Sequence, residues 1–210
     1  MARVVWYFDF ISPYAYFALP TLRQLPAGTD LEYRPVLLAG LLKHWGQKGP
    51  AEIAPKRTWT YRSCIWHAQQ TGVSFRMPAA HPFNSLPYLR LAIAAGGGAR
   101  AIETIFDALW TTGVNPATPS VLAGLASQLG VDPDALADER VKDQLRQNTE
   151  RAASDGVFGV PSFVINHQVF WGSDSLAFAV AYLGDPGLLD SDEMRRADAL
   201  PVGASRPGSA

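Results

Sequence analysis

The sequence predicts an α/β fold in which a strand–helix–strand opening and a late β-hairpin are separated by a long all-helical segment. Three observations predict it. Apolar runs of strand character occur only near the two ends, around residues 4–10, 31–37 and 162–171. Between 41 and 151 the apolar residues recur at helical intervals and turn clusters break the run. The first strand also hands over to a helix with no loop between, in the stretch FDFISPYAYFALP at residues 8 to 20.

Val4 to Phe10 is rich in Val, Trp, Tyr and Phe and reads as a buried strand. Ser12 then stands at the N-cap and Pro13 in the first helical position, where a missing N–H costs little. Tyr16, Phe17, Leu19 and Leu22 continue the helix, and Pro20 is expected to kink it. Leu31, Tyr33, Pro35 and Leu37 alternate with Glu32, Arg34 and Val36, the pattern of a second strand at an edge or bulge. Leu86 to Ala95 and Ala101 to Trp110 carry helical apolar faces, and Ser120 to Leu129 resembles a capped short helix. Gly96-Gly97-Gly98-Ala99-Arg100-Ala101 matches a dinucleotide fingerprint in letters only, because helices flank it where a strand is required; it reads as a helix–helix turn. Trp59, Cys64, Trp66 and His67 read as helix packing. Ser162 to Ile165 and Gln168 to Trp171 form a hairpin about Asn166-His167, and Ser173 is expected to cap a helix through Leu183. Residues 187–210 lose hydrophobic periodicity and read as a frayed or surface-hugging tail.

The chain has 210 residues, enough for a sizeable core, and a formal net charge of −1 that provides no broad basic field for nucleic acid or anionic lipid. No targeting leader and no membrane-spanning run is apparent, so a cytoplasmic address is expected. Cys64 is the one cysteine and cannot form an intrachain disulfide, and the spacing of His44, His67, His81 and His167 matches no zinc pattern; no metal is expected. No G-x-S-x-G elbow and no phosphate-binding loop occurs.

Strand–helix–strand, helical insertion, hairpin and final helix is the order of a thioredoxin-like domain interrupted by a helical subdomain. The domain would comprise residues 1–40 and 152–186, and the insertion 41–151. Ser12-Pro13 after the first strand, Gly159-Val160-Pro161 opening a later one, and FWGSDSL at 170–176 sharpen this reading. In order and spacing over roughly residues 4 to 184 they resemble 2-hydroxychromene-2-carboxylate isomerase and the kappa-class glutathione transferases, glutathione-dependent relatives of disulfide oxidoreductase A. Where redox members carry Cys-x-x-Cys, this chain has Ser12-Pro13-Tyr14-Ala15, so two-thiol exchange is not available.

The resemblance implies a site. Ser12 is either a plain helix cap or the catalytic hydroxyl that donates a hydrogen bond to the sulfur of bound glutathione. Val160-Pro161 would be a cis bond whose backbone holds the cysteinyl part of the tripeptide like an added strand. Trp171, Gly172, Ser173 and Asp174 would hold the γ-glutamyl end, Ser173 taking its carboxylate and Asp174 its ammonium. Lys56 falls on a glutathione-contacting lysine, with Gln47 in place of the usual asparagine after Gly46. Lys43, Phe83 and Asn84 fall on the substrate side, although Glu52 stands near an expected asparagine; for Lys43, Lys56 and Asn84 a solvated surface or turn role is equally open. The implied function is glutathione-dependent isomerisation of an unsaturated aromatic keto acid. A kappa-like transferase and a non-catalytic glutathione-binding scaffold are the alternatives. A small aromatic electrophile, glutathione and a second copy in a homodimer are the expected partners.

Overall fold

The computed structural model describes residues 2–204. Strand β1 (Arg3–Phe8) leads through a tight turn into helix α1 (Pro13–Ala18), and β2 (Asp30–Pro35) returns parallel to β1. Pro20 does not kink a continuing α-helix. The chain changes to a 3-10 helix over Leu19–Gln24, because a proline nitrogen cannot supply the next α-helical hydrogen bond.

Helices α2 (Leu38–His44), α3 (Ala54–Thr71), α4 (Leu86–Ala94), α5 (Ala99–Thr111), α6 (Pro119–Leu129) and α7 (Glu139–Ser154) follow with no strand among them. Strands β3 (Ser162–Ile165) and β4 (Gln168–Trp171) form the hairpin, with Asn166 and His167 both at positive φ as a tight two-residue turn requires. The sheet order is β2-β1-β3-β4, with β3 antiparallel to β1, so the Pro35 strand is an edge as its proline foretells. Gly96 and Gly97, at positive φ, make the helix–helix turn between α4 and α5.

Strand β1 is buried on both faces. Trp6, Phe8 and Phe10 point to one side, and Phe10 meets Phe106 of α5 with ring centroids 4.6 Å apart. Tyr7 points to the other, into a smaller cluster with Val36, Leu41, Ala152 and Val157. The helical insertion therefore has no separate core: α5 completes one face of the sheet and the end of α7 the other. For the same reason the expected boundaries at 40/41 and 151/152 fall inside α2 and α7.

Three local expectations need correction. Trp59 and Trp66 do not pack, being 66% and 61% exposed. On α3 the inward positions are Thr60, Cys64 and Ala68, four residues apart, which turns the two tryptophans, seven apart, outward. His67 does pack, edge-on against Phe17. Helix α8 (Leu176–Gly184) starts three residues beyond Ser173; Ser175 occupies its N-cap and its hydroxyl donates to the Gly172 carbonyl at 2.8 Å. The expected tail forms a 3-10 turn over Pro186–Asp190 and then α9 (Asp192–Asp198), capped by Ser191 and laced by Arg195–Asp192 and Arg196–Glu193 pairs. Residues 205–210 of that tail lie outside the described residues.

Candidate active site

Ser12 is 6% exposed at the junction of β1 and α1. Its hydroxyl oxygen accepts the Ala15 N–H at 3.2 Å, so it is the N-cap, and its proton points at the Val160 carbonyl at 3.4 Å. The second bond is long and weak, and a better acceptor entering the groove would displace it at little cost. Val160-Pro161 is cis, as the motif predicts, and Val160 faces Ser12 across the groove. The Ser162 hydroxyl closes the loop by donating to the Gly159 carbonyl at 2.7 Å.

The hairpin brings the Trp171-Gly172 segment alongside. Ser162 pairs with Trp171, and the Gly172 N–H donates to the Pro161 carbonyl at 2.9 Å. Gly172 has φ +107°, where a side chain would be strained and would strike the Asp174 carboxylate. Gly159 has no room either: a Cβ there would lie 2.7 Å from the Trp171 indole nitrogen. Ser12 thus meets Val160, and the neighbouring Pro161 meets Gly172, with Trp171 before and Ser173 and Asp174 after it in the chain.

The N–H groups of Tyr14, Val160, Ser173 and Asp174 have no acceptor among the described residues. Lys56, on the first turn of α3, and Lys43, on the last turn of α2, are exposed and form no ion pair among the described residues. Asn84 is used locally: its side-chain oxygen accepts the Leu86 N–H at 3.1 Å at the start of α4. Phe83 packs against His81, Tyr88 and Trp110 beneath the β1–α1 turn.

Two groups at the site are not singled out by the sequence patterns. Asp9 is 1% exposed, and its carboxylate accepts from the Ile11 N–H at 3.1 Å and the Leu38 N–H at 2.9 Å. Burial pushes its pKa up to about 6 against those bonds. A carboxylate in the midst of an apolar strand was the available signal. His81 is the second; its ring nitrogen Nε2 lies 2.8 Å from the Ile11 carbonyl. Cys64 is remote from such roles, since it is buried, close to the hydroxyl of Tyr14, and burial pushes its thiol up to about 11.

A serine-capped first helix facing a cis-proline loop on a four-stranded sheet defines a thioredoxin-like fold without the redox cysteines. The chain belongs to the DSBA-like thioredoxin domain family, whose model matches residues 3–184. It is 30% identical over 193 residues to a 2-hydroxychromene-2-carboxylate isomerase of Sphingobium xenophagum, covering 86% of this chain and 97% of that one. It is 28% identical over 207 residues to glutathione S-transferase kappa 2 of Caenorhabditis elegans, covering 87% and 92%. A solved 2-hydroxychromene-2-carboxylate isomerase structure superposes with a TM-score of 0.75 at 24% identity, covering 95% of this chain and all of that one. No helix among the described residues is long and apolar enough to cross a membrane.

Proposed function

We propose that this protein is a glutathione-dependent isomerase of an unsaturated aromatic keto acid, acting on 2-hydroxychromene-2-carboxylate to give trans-o-hydroxybenzylidenepyruvate in the degradation of aromatic compounds. The observation that carries the reading is the Ser12 hydroxyl, buried and held only weakly by the Val160 carbonyl, among backbone donors without acceptors. Bound there, glutathione would supply a thiolate that adds reversibly to an electrophilic carbon, so that a double bond becomes single, turns, and re-forms on elimination without net oxidation or reduction.

Ser12 turns its proton from the Val160 carbonyl toward sulfur, and with the Tyr14 N–H favours the charged form. Val160 holds the cysteinyl backbone and Pro161 shapes the loop that presents it. Trp171 and Gly172 wall the γ-glutamyl end, with Ser173 on its carboxylate and Asp174 on its ammonium, and Lys56 is a further glutathione contact. Lys43, Phe83 and Asn84 line the side from which the electrophile approaches. We place the enzyme in the cytoplasm as a homodimer, a mass that light scattering reads directly.

A kappa-like transferase is the second reading, favoured by the similarity to a kappa-class glutathione transferase. The test is turnover of 2-hydroxychromene-2-carboxylate with substoichiometric glutathione. Product formed over many turnovers with glutathione recovered supports the isomerase. Conjugate accumulating one-for-one with consumed glutathione would replace it by the transferase, and no calorimetric binding of glutathione would remove both.

A further inference from the structure

Among the described residues the Ser12 side chain makes only two bonds, at 3.2 and 3.4 Å, so its placement depends on the backbone of the β1–α1 turn. Within that turn the Ser12 N–H donates to the Asp9 carbonyl at 3.0 Å and the Ile11 N–H to the Asp9 carboxylate. The Phe10 and Ile11 carbonyls are held from outside the turn. Each accepts from a ring N–H of the helical insertion: Trp110 Nε1 to Phe10 at 2.9 Å, and His81 Nε2 to Ile11 at 2.8 Å.

A carbonyl only accepts, so Nε2 of His81 must carry hydrogen. Nδ1 lies 2.8 Å from the Tyr61 hydroxyl, which is also 2.6 Å from the His81 carbonyl. With the ring neutral, the form favoured by its burial, the one Tyr61 proton serves Nδ1 and the carbonyl. With the ring charged, Nδ1–H would donate to the Tyr61 oxygen and the Tyr61 proton to the carbonyl. The bond to Ile11 is the same in both states. Tyr61, Phe83 and Trp110 pack around the imidazole with centroids 5.2–5.9 Å away, which fixes the direction of that bond.

We propose that His81 is a positioning residue of the thiol site: from the insertion it fixes the Ile11 carbonyl and, through it, the direction of the Ser12 hydroxyl. The insertion then sets the acidity of the bound thiol as well as covering the substrate. The thiol half of this statement rests on the glutathione reading; the grip on the turn does not.

The test compares His81→Phe, which keeps the ring packing without the donor, with His81→Gln, which returns an N–H at similar reach. In the ligand-free protein, amide hydrogen exchange over residues 9–17 is expected to quicken about tenfold in His81→Phe and to recover most of the way in His81→Gln. With glutathione bound, the Kd should stay within about threefold while the thiol pKa rises by about one and kcat at pH 7 falls about tenfold, with KM little changed. Unchanged exchange and thiol pKa in His81→Phe would overturn the proposal. So would changes that follow a global loss of stability and are not rescued by glutamine. If wild type fails to bind glutathione, the functional reading falls, and the exchange comparison alone decides the grip on the turn. Should His81→Phe not fold, Tyr61→Phe, which removes the hydroxyl beside Nδ1, must quicken the same exchange at least threefold or the proposal fails.

Discussion

Replacing Ser12 by alanine separates its two jobs. As N-cap it satisfies the Ala15 N–H at 3.2 Å, and losing a serine cap costs about 1 kcal/mol of stability. As the proposed donor to sulfur it would make a charge-assisted hydrogen bond, worth about 1.5–3 kcal/mol. At 1.36 kcal/mol per pKa unit, losing that bond raises the bound thiol's pKa by about one to two. Its bond to the Val160 carbonyl at 3.4 Å adds little to either figure. Glutathione affinity should change little, because the groove's backbone donors and the Trp171-Gly172 wall remain. Turnover at pH 7 should therefore fall about 10- to 100-fold and recover partly as pH rises. The assay is thiolate absorbance of the Ser12→Ala complex against pH, beside the rate, after a melting curve confirms the fold. A folded, glutathione-bound variant with the wild-type thiol pKa would refute the reasoning and leave Ser12 an ordinary cap.

Asp9 gives a pH signature. Its folded pKa of about 6 lies above the unfolded value near 3.9, so between those pH values the folded state keeps a proton that the unfolded chain has released. That contribution to stability is present below about pH 4 and lost as pH rises through 6, about 3 kcal/mol in all. Urea titrations should show Asp9→Asn clearly less stable than wild type at pH 4.5, with the gap closing by pH 7.5; a constant gap would show that Asp9 does not titrate there. Cys64→Ser should leave turnover within about twofold and cost about 1 kcal/mol, since the thiol is buried and uncharged at neutral pH; lost turnover in a folded variant would undo the Ser12 assignment. Gly159→Ala should push the Trp171 indole off the loop, because its Cβ would lie 2.7 Å from the indole nitrogen. Its tryptophan emission should shift and glutathione affinity drop about tenfold with little loss of stability, Trp171 being free to swing outward at 55% exposure; unaltered affinity would take Trp171 out of the glutathione site.

What the sequence by itself determined was carried by local chemistry. The strand-to-helix handover at Ser12-Pro13, the Asn166-His167 turn, the Gly96–Gly98 break and the absence of strands between β2 and β3 each follow from residues a few positions apart, where backbone sterics and hydrogen bonding act directly. The Ser12, Val160-Pro161 and Trp171–Asp174 motifs were legible for the same reason, each marking a turn that needs its residue types. The tertiary structure alone decided which faces of helices are buried. Trp59 and Trp66 look like core residues by composition, but α3 presents them outward because Thr60, Cys64 and Ala68 take the inner side. It alone decided that the insertion has no core of its own, since Phe106 and Ala152 complete opposite faces of the same sheet. The support of the site was hidden too: Asp9 reaches Leu38, His81 reaches Ile11 and Trp110 reaches Phe10, the last two across 70 and 100 residues of chain. Contacts of that separation leave no periodicity in a sequence, because they arise only when folding closes the long loops between them.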